Sequence, residues 1–282
     1  MRHPGSHEPV TTEPTALDAV ATTARLTAAL RAAESERPDR LFLDPFAARL
    51  AGAAGAKLLD ELDMRDSPII PVRTRFFDDA VTEIAAGGIR QFVIAAAGMD
   101  TRAYRLDFPV DTVLFELDRP NLLHLKVDLL DRTAAEVTLR PIGVDLAADF
   151  SGALDEAGFQ AGEPTCWLAE GLTPYLTEPD VHRLLDRISE LSAPGSRLLI
   201  DFVGTSLLES PAMRPMLDRL TERDMTWQYG TEEPEALLRT RGWDATVTRL
   251  GTAGTMLGRW PFPDAPRGTP GVPQGYLVHA TL

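Results

Sequence analysis

Apolar and polar positions run along the chain in blocks whose period changes once. Up to about residue 70 the spacing is helical. Leu17, Val20, Ala24, Leu26 and Leu30 recur at helical intervals, opened by Pro14, which suits a first turn, and closed by Pro38. Asp44-Pro45 predicts the cap and first turn of a second helix, with Phe46, Leu50, Leu58, Leu59 and Leu62 on its apolar side. A third helix begins near Pro71 and turns Phe76, Phe77, Val81 and Ile84 inward. From there, short continuous apolar runs alternate with helical stretches. Gln91-Phe-Val-Ile-Ala-Ala-Ala stops at Gly98, and Thr112-Val-Leu-Phe-Glu116-Leu stops at Asp118. Val137 to Leu146, Thr165-Cys-Trp-Leu-Ala and Ser196 to Phe202 repeat the pattern. Such runs are strands covered on both faces, as in a parallel sheet flanked by helices.

The intervening helices are equally legible. Arg119-Pro120 opens one whose buried face is Leu122, Leu123, Leu125, Val127 and Leu130, with His124 and Lys126 turned outward. Pro179 precedes another, carrying Val181, Leu184, Leu185, Ile188 and Leu191 and stopping at Pro194-Gly195. The final third predicts helices over Pro211 to Arg223 and Pro234 to Arg241, then strands over Trp243 to Leu250 and Tyr276 to Leu282. Between those strands, Arg259 to Pro273 is too rich in proline for helix or ladder and reads as a long surface connection.

Strand and helix alternation makes the chain an α/β protein, and ligands in open α/β sheets bind beyond the carboxyl ends of the strands. Gly98 sits at such an end, where backbone must turn and approach a ligand closely. Asp118 follows at about the distance from which an acid accepts ribose hydroxyls. No G-x-G-x-x-G loop is present to seat a pyrophosphate, so a cofactor with a ribose and no phosphate, S-adenosyl-L-methionine, fits better than a dinucleotide.

Four co-linear motifs sharpen this reading. Arg73-Thr-Arg75-Phe-Phe-Asp78-Asp79, Ala97-Gly98-Met-Asp100-Thr101-Arg102-Ala-Tyr-Arg105-Leu, Glu116-Leu-Asp118-Arg-Pro120 and Leu168-Ala-Glu170-Gly171-Leu-Thr-Pro-Tyr175-Leu resemble the leucine carboxyl methyltransferase family. Within it they look most like the actinobacterial branch, which resembles polyketide O-methyltransferases. The resemblance runs from about residue 25 to the C-terminus. It implies a class I, Rossmann-like methyltransferase fold: a seven-stranded, mostly parallel sheet with an antiparallel last strand and an N-terminal helical addition. It also implies a division into a single domain over 14–282, with 14–70 a helical lid region and 71–282 the core.

By the same resemblance, Arg73, with Arg75 as second choice, holds the methionine carboxylate of the cofactor. On composition alone, two arginines beside Asp78 and Asp79 would read as a salt-bridged surface. Gly98 and Asp118 serve the backbone approach and the ribose. Asp145 and Leu146 flank the adenine, although an aspartate at a strand end is commonly just a turn former. A carboxylate between an apolar strand and a glycine needs a partner, which the residues alone leave open as a local lysine or a backbone amide; the resemblance implies that Glu170 faces the cofactor's ammonium. Tyr175, Asp201 and Phe202 follow the fourth and fifth strands on the substrate side, and Tyr175 reads equally well as packing. No catalytic base is assignable.

Composition bounds the partners. The chain has 282 residues, 44% of them apolar, enough for one large domain. A formal charge of −14 argues against nucleic acid and against an anionic membrane surface. The single cysteine, Cys166, lies in an apolar run and reads as a buried inert thiol. Residues 1–13 read as a disordered leader, and His3 and His7 have no further ligands nearby, so no metal site is expected. Without a long apolar run or a signal-peptide core, the expected location is cytoplasmic. Three functions compete: an O-methyltransferase acting on a carboxylate or hydroxyl of a small, polyketide-like molecule, with S-adenosyl-L-homocysteine as by-product; a carboxyl methyltransferase of a protein or peptide; and a cofactor-binding protein without turnover. Oligomeric state is not readable from the sequence.

Overall fold

The structure, a computed structural model, describes residues 16–131, 133–263 and 265–282. The expected leader, His3, His7, Pro14 and the side chains of Leu17 and Val20 lie outside the described residues. Helices α1 (Ala16–Ser35), α2 (Ala47–Glu61) and α3 (Ile69–Ala86) precede β1 (Gln91–Ala95). There follow α4 (Arg102–Arg105), β2 (Val113–Asp118), α5 (Pro120–Leu130), β3 (Thr138–Gly143), α6 (Ser151–Glu156) and β4 (Thr165–Ala169). A 3₁₀ turn over Thr173–Tyr175 leads to α7 (Glu178–Glu190) and β5 (Arg197–Val203). The chain ends with α8 (Thr205–Glu209), α9 (Arg214–Thr221), α10 (Pro234–Arg239), β6 (Asp244–Arg249), α11 (Leu250–Met256) and β7 (Gly275–Thr281).

The seven strands form one sheet in the order β3-β2-β1-β4-β5-β7-β6. All neighbours are parallel except β7, which runs antiparallel to both β5 and β6. Chain direction across the sheet reverses between β1 and β4, so a crevice opens at their carboxyl ends. Alternate residues divide between two cores. Phe92, Ile94, Leu114, Cys166, Leu168 and Leu199 face α1, α2, α3 and α5, whereas Val93, Ala95, Phe115, Leu117, Trp167 and Leu198 face α6, α7 and α10. The central strands β1 and β4 are buried throughout, as an apolar run with no polar alternation requires. Edge strand β3 is mostly exposed and tolerates Pro141, which has no N–H to give a ladder.

Five expectations need correction. Lys126 does not point outward: it is 1% exposed, and its Nζ lies 2.7 Å from Glu116 Oε1. Glu116 projects from β2 toward α5 and must be neutralised there, so the helix turns its lysine inward. Val127 takes the solvent position instead, at 47% exposure. The helix expected over Pro211 to Arg223 is shorter, α9 alone, with Pro215 in its first turn, and the separate short helix α8 ends before Pro211. Helix α11 was hidden by Gly251 and Gly254, poor helix formers. Gly254 is needed because a Cβ there would stand 2.7 Å from the Trp260 ring. Finally, Asp44 is not a plain cap. Its Oδ1 accepts from Phe46 N–H at 3.1 Å, but Oδ2 is buried against Arg31 and Thr101, and α2 starts at Ala47.

Candidate active site

Beyond β1 the backbone enters an unusual path. Ala96 has φ +58° and Gly98 φ +47°, left-handed conformations that glycine adopts freely and alanine only under constraint. Asp100 N–H closes the turn onto Ala97 O at 2.7 Å. Asp118, at the end of β2, pins this loop: its Oδ2 accepts from Gly98 N–H at 2.7 Å and its Oδ1 from Arg119 N–H at 2.7 Å. The carboxylate is 7% exposed, and burial pushes its pKa up despite those two backbone donors. Each oxygen keeps a second lone pair, so the group fits a ribose diol without giving up either backbone bond. Helix α1 lies directly over this loop. A Cβ on Gly98 would meet Ala24 Cβ at 3.4 Å, and Arg31 Nη2 donates to Met99 O at 2.5 Å.

On the other side of the crevice, Glu170 leaves β4 between two guanidiniums. Arg73 Nε donates to its Oε1 at 2.9 Å and Arg102 Nη2 to its Oε2 at 2.7 Å. Arg73 Nη1 also reaches Asp201 Oδ2 at 3.0 Å, and Asp201 Oδ1 accepts from Gly171 N–H at 2.6 Å. Gly171 has φ +66°, and a Cβ there would come within 2.9 Å of Arg73 Nη2, so only glycine lets the guanidinium lie against the turn. Burial acts to raise the Glu170 pKa, but Arg102 and Arg73 outweigh it and hold the carboxyl below its usual range. At Asp201 burial prevails over Arg73 and the pKa is raised.

Of the two candidate arginines, Arg73 meets Glu170 and Arg75 does not. Two residues on, a helix has turned by more than half a circle, and Arg75 pairs with Asp79 at 2.8 Å and donates to Leu41 O at 2.7 Å. Phe202 is also displaced from its expected role. It is 1% exposed and packs on Tyr229 on the opposite face of β5 from Asp201, because neighbouring strand residues face opposite ways. Asp145 is exposed, and its Oδ1 accepts from Ala147 N–H at 3.0 Å, the ordinary aspartate turn; Leu146 beside it is half-buried. The Tyr175 ring stands edge-on to Trp227, centroids 6.2 Å apart. Burial pushes its phenol up.

Sequence reasoning missed the polar frame behind the crevice. Asp78 accepts from Arg105 through both oxygens, at 2.7 and 2.8 Å, and from Arg102 Nε at 2.8 Å. Arg105 Nε donates to Thr101 Oγ1 at 3.0 Å, and Thr101 donates to Asp44, which also accepts from Arg31 Nε at 2.9 Å. The signal was an arginine-rich motif, Asp100-Thr101-Arg102-Ala-Tyr-Arg105, entering a buried α4, where guanidiniums require acids.

The profile of one protein family, leucine carboxyl methyltransferase, matches residues 24–189, a span from α1 through α7 that contains Gly98, Asp118 and Glu170. The chain belongs to the leucine carboxyl methyltransferase family. A relative from Parafrankia sp., named "putative S-adenosyl-L-methionine-dependent methyltransferase", is 38% identical over 260 residues, covering 86% of this chain and 83% of the relative. One from Mycobacterium avium with the same description is 45% identical over 200 residues, 65% of each chain, so that match spans under two thirds of the relative's length. Among solved structures, a "putative methyltransferase" from Thermobifida fusca superposes with a TM-score of 0.63 at 18% identity, covering 97% of this chain and 99% of that one. A DUF574 family protein from Streptomyces avermitilis gives 0.60 at 16% identity, over 92% and 96%. These two establish the class I fold of the leucine carboxyl methyltransferase chain, with its seven strands and single reversed β7.

The crevice acids of this leucine carboxyl methyltransferase family member should titrate apart. Burial opposes the charge on Asp100, but Arg102 and Lys126 outweigh it and hold its pKa at about 2, below the ordinary 3.8. Asp100 therefore adds stability above pH 3.8 that is lost as the pH falls through about 2. Asp118 and Asp201, raised by burial, behave oppositely: their ionisation costs stability at neutral pH, and the cost lapses as the pH falls through their raised values. Carboxyl ¹³C titration should show Asp100 titrating below 3.8 and Asp118 and Asp201 above it; a common midpoint would contradict the electrostatics.

Proposed function

We propose that this chain transfers the methyl group of S-adenosyl-L-methionine to an oxygen of a small-molecule acceptor. The coarser part, S-adenosyl-L-methionine-dependent methyl transfer, follows from family membership and from relatives so described. The observation that carries the reading is the meeting, at one crevice, of a pinned glycine turn, a buried acid with free lone pairs and a second acid between arginines: Gly98, Asp118 and Glu170. When bound, the cofactor supplies a methyl group on a positively charged sulfur, an excellent leaving group.

What this chain adds is alignment and exclusion of water, which are worth up to about 7–11 kcal/mol in well-oriented systems. Asp118 accepts the ribose hydroxyls, Gly98 lets the ligand lie close to backbone, and Arg73 and Glu170 answer the carboxylate and the ammonium. Asp145 and Leu146 border the adenine, and Tyr175 borders the acceptor. Helix α1, whose Ala24 already covers Gly98, acts as the lid that keeps water out. Asp201 is engaged by Arg73 and Gly171 N–H and is poorly placed to take a proton. An acceptor that arrives already ionised, a carboxylate, needs no base and fits best; a hydroxyl would need one.

Methyl transfer from labelled cofactor to a small-molecule extract and to a protein lysate, run in parallel, tests this. Label should appear in the small-molecule fraction. Label confined to protein would move the reading to a protein carboxyl methyltransferase, and tight cofactor binding with no labelled product to a binding protein without turnover.

A further inference from the structure

Two arginines share the Glu170 carboxylate, and they are held very differently. Arg102 is fixed on every side: Nε on Asp78, Nη1 on Asp100 and Nη2 on Glu170, with its side chain 3% exposed. Asp78 is itself gripped through both oxygens by Arg105. Arg73 reaches across from α3, its side chain is 14% exposed, and its Nη2 faces no acceptor among the described residues.

We propose that Arg102, locked by Asp78 and Asp100, is a positioning residue that keeps Glu170 in place while Arg73 leaves it for a ligand carboxylate. The Arg73–Glu170 pair is then a resting contact that a zwitterion splits. This rests on the S-adenosyl-L-methionine reading, whose amino-acid end is such a zwitterion. Inserting one ammonium and one carboxylate between the partners, with Arg73 Nη1 kept on Asp201, leaves every buried charge with an opposite neighbour, so the exchange strands none. Arg102 makes it productive. A glutamate released by one arginine but still bonded to the other through Oε2 cannot swing through other rotamers, and less freedom remains to be lost on binding. Asp78 belongs to the same device, because its two oxygens keep the guanidiniums of Arg102 and Arg105 side by side without uncompensated repulsion.

The test is calorimetry with S-adenosyl-L-homocysteine and with 5′-methylthioadenosine, which keeps adenine and ribose but lacks the amino-acid end. Wild type should prefer the full ligand. Arg102→Lys keeps the charge but not the three-way fork, and Asp78→Asn removes the negative charge between the two guanidiniums and the second oxygen that accepts from Arg105. Each variant, once shown to melt cooperatively, should lose about tenfold in affinity for S-adenosyl-L-homocysteine while its affinity for 5′-methylthioadenosine stays within about twofold. A purely structural role would weaken both ligands in parallel, and that result overturns the proposal, as does a folded variant with both affinities intact. Should the variants not fold, the wild type decides. On adding S-adenosyl-L-homocysteine, the Arg73 Nε–H resonance should move while that of Arg102 stays bonded and slow to exchange; movement of both overturns the proposal. A wild type that bound neither ligand would overturn the cofactor reading and this inference with it, an outcome distinct from the others.

Discussion

Lys126→Ala should lower the stability of the protein by about 3–5 kcal/mol, the cost of leaving a buried charge without its partner. Lys126 and Glu116 are each 1% exposed and meet at 2.7 Å between α5 and β2, and the ammonium also sits 6.0 Å over the Tyr104 ring. Burial already pushes the Glu116 pKa up with the lysine present. Without the lysine it rises further, so the deficit is full above that pKa and shrinks as the pH falls through it and the carboxyl takes up a proton. Urea unfolding at pH 8 and pH 5 checks both the size and the sign. Replacing the pair together, Lys126→Met with Glu116→Leu, should recover most of the loss, since a packed apolar pair is often as stable as a buried ionic one. A single-variant loss under about 1 kcal/mol would mean that water reaches the pair.

Asp118→Ala should weaken S-adenosyl-L-homocysteine binding by about 1.5–3 kcal/mol, the range for hydrogen bonds to a charged acceptor. The carboxylate does two jobs. It offers free lone pairs to the ribose, and it holds the Gly98 and Arg119 amides, each at 2.7 Å. Alanine removes both, so the loop that should shape the cofactor site loosens as well. Asp118→Asn separates the two: it keeps one acceptor oxygen, so it should fall between alanine and wild type. Because Asp118 must be ionised to act, wild-type affinity should drop as the pH falls through its raised pKa. Calorimetry against pH measures both effects, and an unchanged affinity in Asp118→Ala would reduce Asp118 to a turn residue.

How far the site was legible follows from how local each requirement is. Gly98, Asp118 and Glu170 sit at the ends of strands visible as apolar runs, and a polar residue that stops such a run lies at the sheet edge whatever the packing. Arg73 could be chosen over Arg75 only once α3 was laid against β4 and β5, because its rotation about its own axis decides which arginine meets Glu170. The Asp78, Arg102 and Arg105 frame was visible as letters but not as a network, since its partners lie 24 to 68 positions apart in the chain.

By itself the sequence determined the α/β class, nearly every strand and the crevice residues at the strand ends, because hydrophobic periodicity and glycine or proline punctuation act within a few neighbours. The tertiary structure alone decided which charges go inside. Lys126 turns inward to Glu116, and Asp44 leaves its helix cap for Arg31 and Thr101. The physical reason is common to both. A buried charge is tolerable only with an opposite partner in contact, and that partner is supplied by another element, so no window of sequence around either residue contains the answer.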